Sequence, residues 1–348
     1  MQLLEVPDVD WAEGLMYSEG SEQLKKWRDD VWEKTLKFVR QNLKNIDIFL
    51  TYLYPKQIDE NAINEIKKLG IPCVNFYCDN IREFRSVPKQ FKAFDLVWVP
   101  EYEAIPMYRK AGTAFINLPM PMWVEPRLRN SINPLEETKV SFIGSKDILR
   151  EHLLSEVIGL GLDISIRGSD WMATKKVAPM LKNSAYKKLT NQFAFINEHG
   201  IKGWLIKNSR RGDLPPSAIS PEHIFPKPGF DEYISLTQNS AITIGINRVP
   251  TFKQSNTHPL VYSRLRDIEA PMLGACYVTE HCEDVENLYE LGKDILTYQT
   301  AAELVEKCNE LLKDKVKRDQ LRENGRKKAL SELSIPALLT KLQVAIFK

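Results

Sequence analysis

The chain has few of the features that would settle its class at once. Five cysteines in 348 residues are an odd and scattered set: Cys73, Cys78, Cys276, Cys282 and Cys308. An odd number spread over a long chain argues against a disulfide framework and for a reducing compartment. The spacings within Cys73/Cys78 and Cys276/Cys282 also miss the C-x2-C pairs of structural zinc. No apolar run approaches the ~18–20 residues that span a bilayer. Residues 1–20 show no basic stretch ahead of an apolar core, so no secretory signal is expected. The charge is balanced, with 48 Lys and Arg against 46 Asp and Glu and a formal net charge of +2. That gives no global case for a nucleic-acid partner. Together these absences predict a water-soluble cytoplasmic protein, and the length favours two domains.

What is present is alternation. Leu24, Trp27, Val31, Leu36, Val39 and Leu43 recur at helical spacing between Ser21 and Lys44. The apolar run 46–54 reads as a buried strand. Helix 59–69 ends at Gly70, strand 71–77 ends in Cys78-Asp79-Asn80, and strand 95–99 precedes helix 102–111 and strand 115–118. Strand and helix in turn predict a parallel sheet wrapped by helices. Pro119, Pro121, Pro126 and Pro134 mark a linker over 119–138. A second series follows: strand 139–143 into Gly144-Ser145, helix 147–159, strand 162–167 ending at Gly168, helix 231–238, strand 241–246, helix 264–273 and strand 275–279. Helices 300–313, 315–332 and 335–347 close the chain. The expected division is 1–133, 134–332 with an insertion at 174–228, and a terminal helix at 333–348. Two doubly wound α/β domains then face a cleft, with ligands expected beyond the carboxyl ends of the strands. That nominates Asp79, Pro100-Glu101, Gly144, Ser145, Gly168, Asn247 and Arg248.

The segment from Tyr262 to Thr279 adds a motif: Arg266, Ile268, Glu269, Gly274 and Thr279 follow the spacing R-x-F-E-x4-G-x4-T, with Ile268 in the place of the Phe. Glu283–Leu288, Glu290–Ile295 and the helix ending in Asn324-Gly325-Arg326 continue it. Upstream, Ile66–Pro72, Tyr77 and Asp79, and Val140–Ser145, keep the same order. The set resembles the CgeB-like branch of the GT-B glycosyltransferases, near retaining family 4. It departs from the classical Glu-x7-Glu pair, because Val261 stands where the first glutamate would be. The chain also begins with a helix in place of a Gly-rich first strand.

The resemblance implies a GT-B fold and transfer of a sugar from a UDP- or GDP-linked donor to a hydroxyl. The acceptor would be a glycan, a lipid-linked glycan or a protein, with retention at the anomeric carbon. No cofactor or essential metal is implied; Asp8-Val9-Asp10 has the D-x-D form, but no strand precedes it. Glu269 is expected on the donor ribose, and Arg264 and Arg266 on its diphosphate, where a guanidinium fork stabilises the leaving group. Gly144 and Ser145 offer backbone N–H groups to phosphate. Gly168 ends the next strand, Trp171 is the candidate for stacking on the base, and Asn247 and Arg248 for holding sugar or phosphate. Asp79 is the candidate acid–base group for the acceptor. Two other readings stay open: a sugar-nucleotide 2-epimerase, and a catalytically silent nucleotide-sugar-binding subunit. Insertion 174–228 carries ten Lys and Arg against Glu198, Asp213 and Glu222. Such an excess suits an anionic acceptor or the inner membrane face; a solvated helical insertion with a Pro-rich loop is the plainer reading.

Overall fold

The computed structural model describes residues 3–129, 134–172, 185–209, 214, 219–251 and 254–347. Two compact units result. One comprises Met1–Met120 with Leu338–Lys348, the other Pro121–Ala337. The division falls at 120/121, where the sequence suggests 133/134, and the last helix returns to the first unit. Of the expected basic insertion, Lys175, Lys176, Lys182, Arg210 and Arg211 lie outside the described residues.

The first unit is built on a four-stranded parallel sheet: β1 Phe49–Thr51, β2 Cys73–Phe76, β3 Leu96–Val99 and β4 Phe115–Asn117, in that spatial order. Every residue of β2 is buried, so both faces of the sheet must be covered. Period-two alternation divides the labour. Cys73, Tyr77, Val97 and Val99 face a core shared with Ile63 and Ile66 of helix Glu60–Lys68 and Trp32 of helix Glu22–Gln41. Val74, Phe76 and Trp98 face the other way, onto Leu338 and Leu342. A sheet whose strands step in one direction, with right-handed crossovers, places those helices on one face. The returning C-terminal helix Ile335–Ile346 covers the second.

The strand expected over 46–54 pairs only as far as Thr51. Beyond it the buried Asn75 side chain replaces the ladder. Its Oδ1 accepts from Leu53 N at 2.9 Å and its Nδ2 donates to Leu53 O at 3.1 Å.

The second unit carries five parallel strands: β5 Thr138–Ile143, β6 Ser165–Arg167, β7 Ser240–Gly245, β10 Tyr277–Glu280 and β11 Leu296–Tyr298. A small antiparallel ribbon, β8 Arg248–Val249 with β9 Leu260–Val261, stands apart. The spatial order is β11-β10-β7-β5-β6. From β5 the chain moves outward to β6, then crosses back to β7 on the other side. This is a doubly wound sheet, and its direction reverses between β5 and β7.

The Pro-rich stretch expected to be a linker is built into this unit from residue 121 onward. Gln238 Nε2 donates to Leu128 O at 2.5 Å, and the Arg129 guanidinium lies 4.1 Å from the Trp123 ring centroid. Glu136 is bound by Arg318 and by Arg322, the latter at 2.8 Å. Proline removes N–H groups and periodicity, so such a segment reads as linker even where its side chains are anchored.

Candidate functional site

In the second unit, ligand chemistry belongs beyond the carboxyl ends of β5 and β7, where the winding reverses. Two helices deliver side chains to that edge. Helix Phe230–Asn239 precedes β7 and helix Arg266–Met272 precedes β10. Each runs antiparallel to the strand it feeds, so its first turn stands at the carboxyl edge. Arg167 at the end of β6 confirms this, donating to Glu232 in the first of them at 3.0 Å.

These first turns bring together Tyr233, Arg266 and Glu269. Tyr233 donates its hydroxyl to Glu269 Oε2. The Arg266 guanidinium lies 4.9 Å from the Tyr233 ring centroid. Arg266 Nη1 is buried and has no hydrogen-bond partner among the described residues. Burial and the Glu269 carboxylate push the Tyr233 phenol up, against the lowering pull of Arg266, so it stays a donor. A buried guanidinium N–H that meets no acceptor, beside a half-buried carboxylate, is a group that a ligand oxygen can satisfy. Of the motif residues, Arg266 and Glu269 stand at the edge, whereas Ile268 and Thr279 are buried in the core. Gly274 closes the helix at φ +85°, which only glycine adopts freely.

Asp267, between the two edge residues, is wholly buried and anchors the turn before them. It accepts from Arg264 N at 2.8 Å, Ser263 Oγ at 3.0 Å, Tyr277 Oη at 2.9 Å and Thr279 Oγ1 at 2.7 Å. Burial still pushes its carboxyl up, which those donors oppose. Neither Tyr233 nor Asp267 stood out in the sequence. An acid next to the motif arginine, followed ten and twelve residues on by Tyr277 and Thr279, is the only trace there of this anchor.

The other expected donor contacts are engaged within the protein. Arg264 Nη1 donates to Tyr262 Oη at 2.7 Å. Arg248 forms a fork on the buried Glu280, with Nε at 2.7 Å and Nη2 at 2.5 Å from Oε1. Asn247 is buried and spends its amide on Glu280 O at 2.9 Å and Thr279 Oγ1 at 3.2 Å.

At the end of β5, Gly144 N donates to Arg167 O at 2.9 Å and Lys146 N to Ser169 O at 2.9 Å. The following helix, Ile148–Gly159, is capped by Asp147, which accepts from Leu149 N and Arg150 N. Two N–H groups of that helix's first turn are thus engaged by the chain's own carboxylate. Ser145 Oγ accepts from Arg150 Nη1 at 3.1 Å.

Trp171, expected on a base, is 4% exposed and packs edge-on against Phe142. Its indole N–H donates to Gly144 O at 2.7 Å, so it braces the β5 turn from the core. Gly168 has φ +138°, and a Cβ there would stand 2.1 Å from Gly144 O. The close approach of the two strand ends is enough to demand glycine at 168.

In the first unit, Asp79 follows β2 in the left-handed region at φ 62°. Its side chain, 29% exposed, stands 3.9 Å from Arg82. The next residue is locked. Glu101 at the end of β3 accepts from Asn80 N at 2.6 Å and Asn80 Nδ2 at 2.8 Å, and Tyr108 donates to Asn80 Oδ1 at 2.7 Å. Strained backbone held by a buried network is a mark of functional positions.

Burial pushes the Glu101 carboxyl up to about 7, although the Asn80 donors pull it down. Its folded value therefore lies above the ordinary glutamate value of 4.5. The protonated form favours the folded state, and stability falls as pH rises from about 4.5 through about 7, by roughly 3 kcal/mol in all. Urea unfolding of wild type and Glu101→Gln across that window should differ in slope, with the glutamine variant flatter. Parallel curves would show that Asn80 outweighs burial and keeps Glu101 ionised throughout.

Comparison with known proteins bears on this geometry. Residues 222–342, which contain Tyr233, Arg266 and Glu269, match the family model described as glycosyl transferase-like. No curated protein sequence matches the chain. Among solved structures, the chain is similar to a glycosyltransferase from Rickettsia africae at 12% identity, with a TM-score of 0.55 over 94% of this chain and 82% of that one. HepE from Anabaena, crystallised with UDP, aligns at 10% identity and TM-score 0.52, covering 91% and 82%. Sucrose-phosphate synthase from Thermosynechococcus elongatus aligns at 12% identity and TM-score 0.50, covering 93% and 79%. These likenesses establish the fold as GT-B, with Rossmann-like units.

Proposed function

We propose that the protein is a nucleotide-sugar glycosyltransferase of the CgeB-like branch, transferring a sugar from a UDP- or GDP-linked donor to a hydroxyl acceptor. The observation that carries this reading is the Tyr233–Arg266–Glu269 cluster at the carboxyl edge of the second sheet, inside the segment that matches the glycosyl transferase-like family. Glu269 receives the ribose hydroxyls, and the orphan N–H of Arg266 meets the diphosphate, whose charge grows as it leaves. Tyr233 positions both. The HepE structure holds UDP on the same fold, which supports a uridine donor. Asp79 orients or deprotonates the acceptor hydroxyl. A cytoplasmic place is read from the odd, scattered cysteines; retention at the anomeric carbon and independence of metal follow from the family resemblance. So does an acceptor that is a glycan, a lipid-linked glycan or a protein.

Calorimetric titration with UDP and GDP tests the donor half. Glu269→Ala removes charge-assisted hydrogen bonds worth about 1.5–3 kcal/mol, so affinity should fall at least about tenfold while the melting temperature holds. Unchanged affinity would remove Glu269 from the site. Isomerised nucleotide sugar formed without acceptor would identify an epimerase instead.

A further inference from the structure

Helix Ala185–Ser209 is interrupted at Gly200, whose φ of 72° and ψ of 168° are not helical. Twelve residues of straight helix span about 18 Å. Yet Trp204 Nε1 donates to Gln192 Oε1 at 2.5 Å, and Lys207 Nζ lies 3.9 Å from the Phe195 ring centroid. The chain therefore doubles back at Gly200 into a helical hairpin. The half-buried rings of Trp204 and Phe195 make these contacts across the turn, while other apolar side chains are exposed: Phe193 is 63% exposed, Ile201 67% and Leu205 55%. Lys202 and Lys207 are exposed beside them. Exposed Phe, Ile and Leu beside lysine form a surface that is both apolar and cationic.

We infer that this hairpin is a membrane-surface anchor that seats Phe193, Ile201 and Leu205 among the acyl chains of an anionic lipid surface, with its lysines at the headgroups. Charge selects the occupant. Segment 174–228 carries ten Lys and Arg against three acids, which repels a second copy and attracts an anionic surface. Apolar side chains separate a membrane from a phosphate polymer, because a polymer rewards lysine alone, whereas lipid also rewards buried Phe, Ile and Leu. Lysine stems reach along apolar surface while keeping the ammonium in water. No helix among the described residues is long and apolar enough to cross a membrane, so the hairpin lies on the surface. This inference stands independently of the glycosyl-transfer reading.

Flotation of the full chain with phosphatidylglycerol–phosphatidylcholine vesicles, and with phosphatidylcholine vesicles alone, tests it. Wild type should float with the anionic vesicles, less so as salt rises past about 0.15 M. Phe193→Ser with Ile201→Ser and Leu205→Ser, at exposed positions, should weaken binding at least about tenfold with an unchanged melting temperature. Lys202→Glu with Lys207→Glu should also weaken it and flatten the salt dependence. Three results would overturn the anchor: wild type that ignores anionic vesicles, vesicle binding that the serine variant retains in full, or a wild-type dimer in sedimentation that the serine variant dissociates. Capture on heparin without vesicle binding would point to a polymer and count against lipid equally.

Discussion

Glu136→Gln is expected to destabilise the second unit by about 3–5 kcal/mol, the scale for removing one partner of a buried ion pair. Arg318 and Arg322 are both nearly buried, and each binds Glu136. The same guanidiniums reach further. Arg318 Nη1 donates to Leu311 O at 2.5 Å, and Arg322 Nη2 to Ser240 O at 2.8 Å and Ala241 O at 3.0 Å. One carboxylate thus joins the approach to β5, the start of β7 and helix Lys315–Glu332. Without it, Arg318 loses its carboxylate partner and Arg322 keeps only the half-exposed Asp319, at 3.1 Å. Chemical denaturation at neutral pH should show the loss directly.

Acid should reproduce it in the wild type. Arg318 and Arg322 hold the Glu136 carboxyl down to about 2, against an ordinary glutamate value of 4.5. The folded value is the lower, so the stabilisation is complete above about pH 4.5 and disappears as pH falls through about 2. Its size is roughly 3 kcal/mol. The glutamine variant should lack that acid-sensitive component. A midpoint of unfolding that does not move on substitution would mean that the three groups contribute no net stability, as some buried ion pairs do not.

Asp79→Asn should leave nucleotide binding intact and slow sugar transfer at least about a hundredfold, within the 10²–10⁴ typical of a positioned acid–base group. The substitution suits the site. Asparagine tolerates the left-handed backbone that Asp79 adopts, and it keeps a hydrogen-bonding side chain while removing the charge. The Glu101–Asn80–Tyr108 network is untouched, so the turn should hold. In the proposed function the nucleotide is held by Glu269 and Arg266, which is why binding and turnover should separate. Turnover within a fewfold of wild type would leave Asp79 a turn residue. If wild type and variant bind nucleotide but neither consumes any donor, the protein is a silent binding subunit.

Much of the architecture follows from local pattern. Helix Glu22–Gln41, helix Glu60–Lys68 with Gly70 behind it, and the alternation of strand and helix all agree with the periodicity of their own residues. Sheet winding does not. Nothing local states that β7 pairs with β5 on the side away from β6, yet that crossing creates the edge where Tyr233 and Glu269 meet across 36 residues. The same holds for the helix starting at Ile335. Its apolar face is plain in sequence, but its destination depends on a sheet face that the first unit's own crossovers leave bare.

At the site, the residues of chemical interest could be nominated from the motif, but their availability could not. Arg248, Asn247, Arg264 and Trp171 sit at suitable positions along the chain and are taken up by Glu280, Thr279, Tyr262 and Gly144. Whether a polar group is spent inside the protein is a matter of which distant group stands within about 3 Å of it. The order of residues by itself determined a two-unit α/β chain with a carboxylate and an arginine one helical turn apart. Tertiary structure decided that this arginine alone among the candidate arginines keeps a buried N–H with no partner among the described residues, because only folding brings the competing acceptors to the others.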